Sequence, residues 1–209
     1  MVRREALPRR ADRTLSDYVF CDKVSSSDRD YHGENSNRDG EALKKMLKEG
    51  FREIEKRLLS ENKAFYGERL VSLVVFGSVA RNAQRFDSDL DLLVIAEDLP
   101  RGRMKRIGEF EVVEERLAPF LKSLEQNHGI NTYISAMIKS PEEAEKGSFL
   151  FLDMVEDARI LFDRDGFFTR RLDRLRKRLK ELGAKRIWRG NAWYWDLKPD
   201  YKPGDIIEL

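Results

Sequence analysis

The sequence predicts an α/β (α+β) fold, and three observations lead there. Apolar residues recur at the three-and-four spacing of helices, give way to short β-rich runs, and then return to helical spacing. Gly and Pro fall at the changeovers. The 209 residues are 41% hydrophobic, enough for a core, and 37% charged, with 40 Lys+Arg against 38 Asp+Glu. That charge mixture suits a surface laced with ion pairs, of the kind found in heat-adapted proteins.

The elements follow in order. Residues 1–40 hold eight basic and eight acidic residues with few aliphatics, and SSSDRDYHGENSNRDG has no period. They read as a mobile N-terminal arm, with at most a short helical turn near Leu15–Phe20. Leu43, Met46, Leu47, Phe51, Ile54 and Leu58 then mark one face of an amphipathic helix reaching about Lys63. Leu70–Phe76 is a buried strand ending in the turn Gly77–Ser78, and Leu90–Ala96 is a second strand. After Pro100 and Gly102 comes a helix through Met104, Phe110, Val113, Leu117 and Leu124, with Pro119 expected to kink or restart it. His128–Gly129 closes that helix, and Ile130–Ile138 is a third strand. Ser140–Pro141–Glu142–Glu143 is a helix start. Phe149–Val155 reads as a short helix, Ala158–Phe162 as a last strand and Phe167–Leu182 as a basic helix. The domain limits are thus an arm over 1–40, a central domain over 41–165, and a basic helix with an aromatic-rich tail over 166–209.

Several classes are excluded. No apolar run approaches the roughly 18 residues of a membrane span, and MVRREALPRRADR lacks the apolar centre of a secretory signal. Cys21 is the only cysteine, so there is no internal disulfide and no multi-cysteine zinc site. His32 and His128 are too few for a His-rich metal centre. A cytoplasmic location is expected. The net charge of +2 does not single out nucleic acid as a partner.

The chemistry concentrates in FGSVARNAQRFDSDLDLLVI, Phe76 to Ile95. Ten residues separate Gly77–Ser78 from Asp89–Leu90–Asp91, which opens the second strand. Residues two apart on a strand share a face, so the two carboxylates point the same way. Like charges so placed repel unless a cation sits between them. Mg²⁺ does this well, taking one or two carboxylates and completing its shell with water and phosphate oxygens. Gly77 lets the backbone approach a triphosphate, and Ser78 offers it hydroxyl and amide hydrogens. Either half alone would read as an ordinary turn or a solvated strand edge, whereas the combination reads as a Mg-nucleotide site.

Gly77, Ser78, Ala80, Arg81, Ser88, Asp89, Asp91 and Leu92 together resemble the signature of the DNA polymerase beta superfamily of nucleotidyltransferases, and in particular the small prokaryotic minimal nucleotidyltransferases. The resemblance spans roughly Leu43–Phe162. It implies the nucleotidyltransferase fold, a small mixed sheet flanked by helices. It also implies that Asp89 and Asp91 hold two Mg²⁺ ions as the catalytic pair, and that Gly77 and Ser78 grip the β- and γ-phosphates of an NTP, ATP first among them. Arg81 and Ser88 complete the nucleotide-binding set. An acceptor hydroxyl would attack the α-phosphorus and release pyrophosphate. Short members of the family pair with a small helical partner protein, whose tyrosine can be the acceptor.

Two positions depart from the family pattern. Asn82 replaces the usual Gly after Ala-Arg, and Asn tolerates a left-handed conformation. The third strand carries no acid where the family places a third carboxylate; Asn131, Tyr133 or Ser135 stands there, depending on register. Asp153, Glu156 and Asp157 share a helix face and are candidates for a substitute acid, or else a solvated face. Asp87 and Arg85 read as loop charges, Arg85 also as a phosphate contact.

Arg170 to Arg189 holds ten basic and two acidic residues around a stripe of Leu172, Leu175, Leu179 and Leu182. This is either a solvated packed helix or a phosphate-tracking surface for RNA or for the triphosphate. Trp188, Trp193, Trp195, Tyr194 and Tyr201 either wrap an edge of the domain or stack bases. A Mg²⁺-dependent nucleotidyltransferase is the leading expectation. The rivals are a catalytically weakened nucleotide-binding or regulatory module and an RNA-binding protein.

Overall fold

The computed structural model describes residues 34–190, 192–202 and 207, with side chains from Gly40 onward. The expected turn near Leu15–Phe20, together with Cys21 and His32, lies outside the described residues. The described elements run α1 (Glu34–Tyr66), β1 (Leu70–Phe76), α2 (Gly77–Ala80), β2 (Leu90–Ala96), α3 (Arg103–His128) and β3 (Ile134–Lys139). They continue with α4 (Pro141–Glu145), α5 (Leu150–Asp157), β4 (Arg159–Asp163), α6 (Phe167–Glu181), β5 (Lys185–Arg189) and β6 (Ala192–Asp196). Helix α1 starts at Glu34, inside the segment expected as an arm. Helix propagation adds a hydrogen bond for each residue fixed, so α1 extends beyond its apolar stripe without needing a buried partner there.

Four strands form one mixed sheet in the order β3-β2-β1-β4. Strand β1 is antiparallel to both neighbours, and β2 runs parallel to β3. Every residue of β1 but Phe76 is buried, as its unbroken apolar run predicts for a strand covered on both faces. On one face Leu73, Val75, Leu90, Leu92 and Val94 pack against Phe51, Ile54 and Leu58 of α1 and Phe110, Val113 and Leu117 of α3. On the other, Val74, Leu93 and Ile95 meet Phe151 and Met154 of α5 and Phe168, Leu172, Leu175 and Leu179 of α6. Leu172, Leu175 and Leu179 of the basic helix's stripe are therefore part of the core, and each contributes roughly 1.5–3 kcal/mol on burial.

The local signals act where they stand in the chain. Ser140 and Glu143 form a reciprocal capping box with Pro141 at the first helical position. Gly129, left-handed at φ 67°, ends α3 and donates its N–H to the Glu125 carbonyl. Helix α3 continues through Pro119 rather than restarting. Pro119 is exposed, so water can satisfy the carbonyl that its missing N–H would have paired. Asp163 ties three elements together: its carboxylate accepts from Ser72 Oγ of β1 (2.7 Å) and from the Phe168 and Thr169 amides that open α6 (2.9 Å each). Among the described residues no helix is long and apolar enough to cross a membrane.

Candidate functional site

Because β1 and β2 are antiparallel, the end of one strand meets the start of the other, and Phe76 pairs with Asp91. That pairing places the Gly77 bend directly on the carboxylate. Gly77 adopts φ 72°, and a Cβ there would collide with Asp91 Oδ2 and lie 3.1 Å from its Cγ. Both the left-handed backbone and the close approach require glycine. The next residues form the single turn α2, after which Asn82 takes φ 56°. This left-handed conformation is the one its short polar side chain allows.

Asp89 precedes β2 and Asp91 is its second residue. Asp91 shares the sheet face of Leu93 and Ile95, the face that α5 and α6 cover. Burial, helped by the charge of Asp89 and opposed by Arg81, pushes the Asp91 carboxyl up to about 6. The two acids and Arg81 therefore lie within electrostatic reach of one another. Ser88 serves the loop itself: its Oγ accepts the Arg85 N–H (2.8 Å), and its carbonyl accepts Thr132 Oγ (2.7 Å). Arg85 forms a two-bonded pair with exposed Asp87, both contacts at 3.2 Å.

The parallel register of β2 and β3 sets Ser135 opposite Asp91. A hydroxyl, not a carboxylate, thus stands beside the acid pair. The acids of α5 do not compensate. Asp153 accepts indole N–H bonds from Trp193 (2.7 Å) and Trp195 (3.0 Å), and Asp157 pairs with Arg186 (2.7 Å). Both hold the β5–β6 hairpin.

The described residues contain no cluster of three or more His, Cys, Asp or Glu suited to a metal. The pair Asp89 and Asp91 nevertheless fits Mg²⁺, which needs only one or two carboxylates when phosphate oxygens supply more of its shell. The missing Cβ of Gly77 leaves open the approach to Asp91 Oδ2, and the raised Asp91 carboxyl marks negative charge that lacks compensation.

One site residue had no motif to announce it. Arg159 of β4 donates to the Val79 and Ala80 carbonyls (3.3 Å each) and to Asn82 Oδ1 (3.1 Å), gripping the end of α2 from behind. Its other arm bonds Glu55 of α1 at 2.5 Å. Burial raises the Glu55 carboxyl above its usual range, and Arg159 offsets part of that rise. Arg159 lies 104 residues from Glu55 in sequence, so no local pattern could have revealed it.

The basic run is largely engaged within the chain. Arg174 pairs with Glu145 (2.5 Å), Arg176 with Asp173 (2.5 Å) and the Val155 carbonyl (2.8 Å), and Arg170 with the Asp165 carbonyl.

A family model described as a nucleotidyltransferase domain matches residues 52–162. A Methanocaldococcus jannaschii protein with the provisional name of a protein adenylyltransferase is 32% identical over 151 residues, or 71% of this chain and 91% of its own. Two solved structures overlap more loosely. One is a chain of a toxin–antitoxin crystal structure with AMP-PNP, at 17% identity and TM-score 0.39, covering 62% of this chain and 92% of its own. The other belongs to the complex of a tri-AMPylated Shewanella oneidensis HEPN toxin with MNT antitoxin, at 13% and 0.35, covering 62% and 89%. Likeness at that level carries no functional argument.

Proposed function

Since this chain belongs to the nucleotidyltransferase domain family, we propose that it transfers a nucleoside monophosphate from Mg²⁺-bound ATP to a hydroxyl of a protein acceptor and releases pyrophosphate. The observation that carries this reading is the seating of the Gly77 bend against Asp91, with Asp89 and Arg81 within electrostatic reach. The provisional name of the archaeal relative supports an adenylyl group and a protein as acceptor.

Asp89 and Asp91 would hold two Mg²⁺ ions, which supply charge stabilisation at the α-phosphate and at the departing pyrophosphate. Gly77 and Ser78 bind the β- and γ-phosphates through backbone N–H groups and the hydroxyl, and Arg81 adds positive charge at the same bend. Ser88 shapes the loop that delivers Asp89. Arg159 keeps the turn of α2 in place behind the phosphates. The acceptor oxygen forms a bond to the α-phosphorus while the bond from that phosphorus to the α–β bridging oxygen breaks. The hydroxyl proton passes to water, because Ser135 stands where a third acid would take it.

A second reading rests on that same Ser135: a module that holds Mg-ATP and transfers nothing. Incubation with ATP labelled at the α-phosphorus, Mg²⁺ and total cell extract separates them. Transfer predicts labelled protein that disappears in the double variant Asp89→Asn, Asp91→Asn. Mg-ATP binding with no labelled product would favour the holding module. Label in RNA would show that the acceptor class is wrong. A small helical protein presenting a tyrosine is the first acceptor to seek in a labelled extract.

A further inference from the structure

All three tryptophans, Trp188, Trp193 and Trp195, lie on the β5–β6 hairpin. Pairing sets Arg186 opposite Trp195 and Trp188 opposite Trp193, so these four side chains share one face. Asp153 and Asp157 of α5 fix that face, the first through the two indole N–H groups and the second through Arg186. The Trp193 ring then meets two guanidiniums: Arg186 at 4.2 Å from the ring centre, and Arg81 at 4.6 Å. Arg81 is the residue whose charge acts on Asp91. It follows the phosphate-binding bend directly, donating its N–H to the Gly77 carbonyl. Two guanidiniums near one ring repel each other; Asp157 pairs with Arg186 at 2.7 Å, and Arg81 lies in the field of Asp91, which it offsets only in part.

We propose that the C-terminal hairpin is a wall of the nucleotide site, in which Trp193 is a positioning residue that holds the Arg81 guanidinium over the phosphate-binding bend. This rests on the nucleotide-binding reading of Gly77 and Ser78 and extends it. It also gives Asp153 of α5 a role at the site, since it holds the tryptophan that holds the arginine. A triphosphate draws Arg81 toward its oxygens and so changes the surroundings of Trp193.

Because every tryptophan lies on the hairpin, tryptophan emission, excited at wavelengths that tyrosine does not absorb, reports on it alone. Titration with Mg-ATP is expected to change that emission, with a midpoint matching the ATP affinity measured independently by equilibrium dialysis. Trp193→Leu is expected to weaken ATP binding roughly twofold to thirtyfold, the range that a cation–π contact supports. Trp193→Phe, which keeps a ring for Arg81, should recover most of the loss. The decisive comparison pairs Trp193→Leu with Arg81→Ala. If Trp193 works through Arg81, the double variant binds ATP no more weakly than Arg81→Ala alone, whereas independent effects would multiply. Undisturbed emission on ATP binding, or fully multiplying effects in the double variant, overturns the inference and leaves the site reading intact. If dialysis shows no ATP bound by the wild-type chain, the site reading falls and the inference with it.

Discussion

Asp91→Asn should make the metal-free protein more stable, although it removes a residue proposed for catalysis. The folded chain pushes the Asp91 carboxyl from an ordinary 3.8 up to about 6, chiefly by burial and secondly through Asp89. The folded state therefore holds this proton more tightly than the unfolded chain does. Below about pH 4 both states are protonated and the residue is neutral in its effect. As pH rises from there toward 6 the unfolded chain releases its proton first, and stability is lost across that window. Above it the full penalty applies. At about 1.4 kcal/mol for each pH unit between the two values, the penalty is about 3 kcal/mol. Asparagine has nearly the same shape and no charge to bury. Urea unfolding in the presence of a chelator should show the variant up to about 3 kcal/mol more stable at pH 8, with the gap closing as pH falls toward 4. Added Mg-ATP should narrow the gap at pH 8, because only the wild-type site would gain from the cation. A variant no more stable than wild type at pH 8, or a gap that ignores pH, would refute the view that Asp91 carries uncompensated buried charge. The expected gain is an instance of function held at a cost in stability.

Two further outcomes follow from the same geometry. Gly77→Ala should abolish ATP binding while the fold persists, because its Cβ occupies the space of the Asp91 carboxylate and its backbone is strained at φ 72°; equilibrium dialysis and circular dichroism together check it. Arg159→Ala should destabilise the chain by about 3 kcal/mol, since it leaves buried Glu55 unpaired. Arg159→Ala combined with Glu55→Gln should restore most of that stability and not the ATP affinity, since the grip on the Val79 and Ala80 carbonyls stays lost.

Much of the site was legible in the sequence because its parts are close in the chain. Gly77 and Asp91 are fourteen positions apart, and an apolar run on either side identifies the strands that bring them together. The Ser140 capping box, the end of α3 at Gly129 and the left-handed Asn82 are equally local: each depends on one residue's own backbone preference or on partners within a turn. The family that the chain belongs to was readable for that reason.

What stayed hidden depends on partners far apart in sequence. The strand register that gives Ser135, rather than Tyr133 or Asn131, to Asp91 is set by how β3 docks along β2. Whether Asp153 and Asp157 serve the acid pair or the hairpin is decided by where a segment 29 to 40 residues later folds back. Arg159 looks like any strand-end charge until β4 pairs with β1 and delivers it behind α2. The chain alone determined the motif, the alternation of elements and their caps, because short-range backbone preference and apolar period are written in consecutive residues. The sheet's pairing assigned the acids, the arginines and the tryptophans their partners, because charges and rings act through distances that only packing sets.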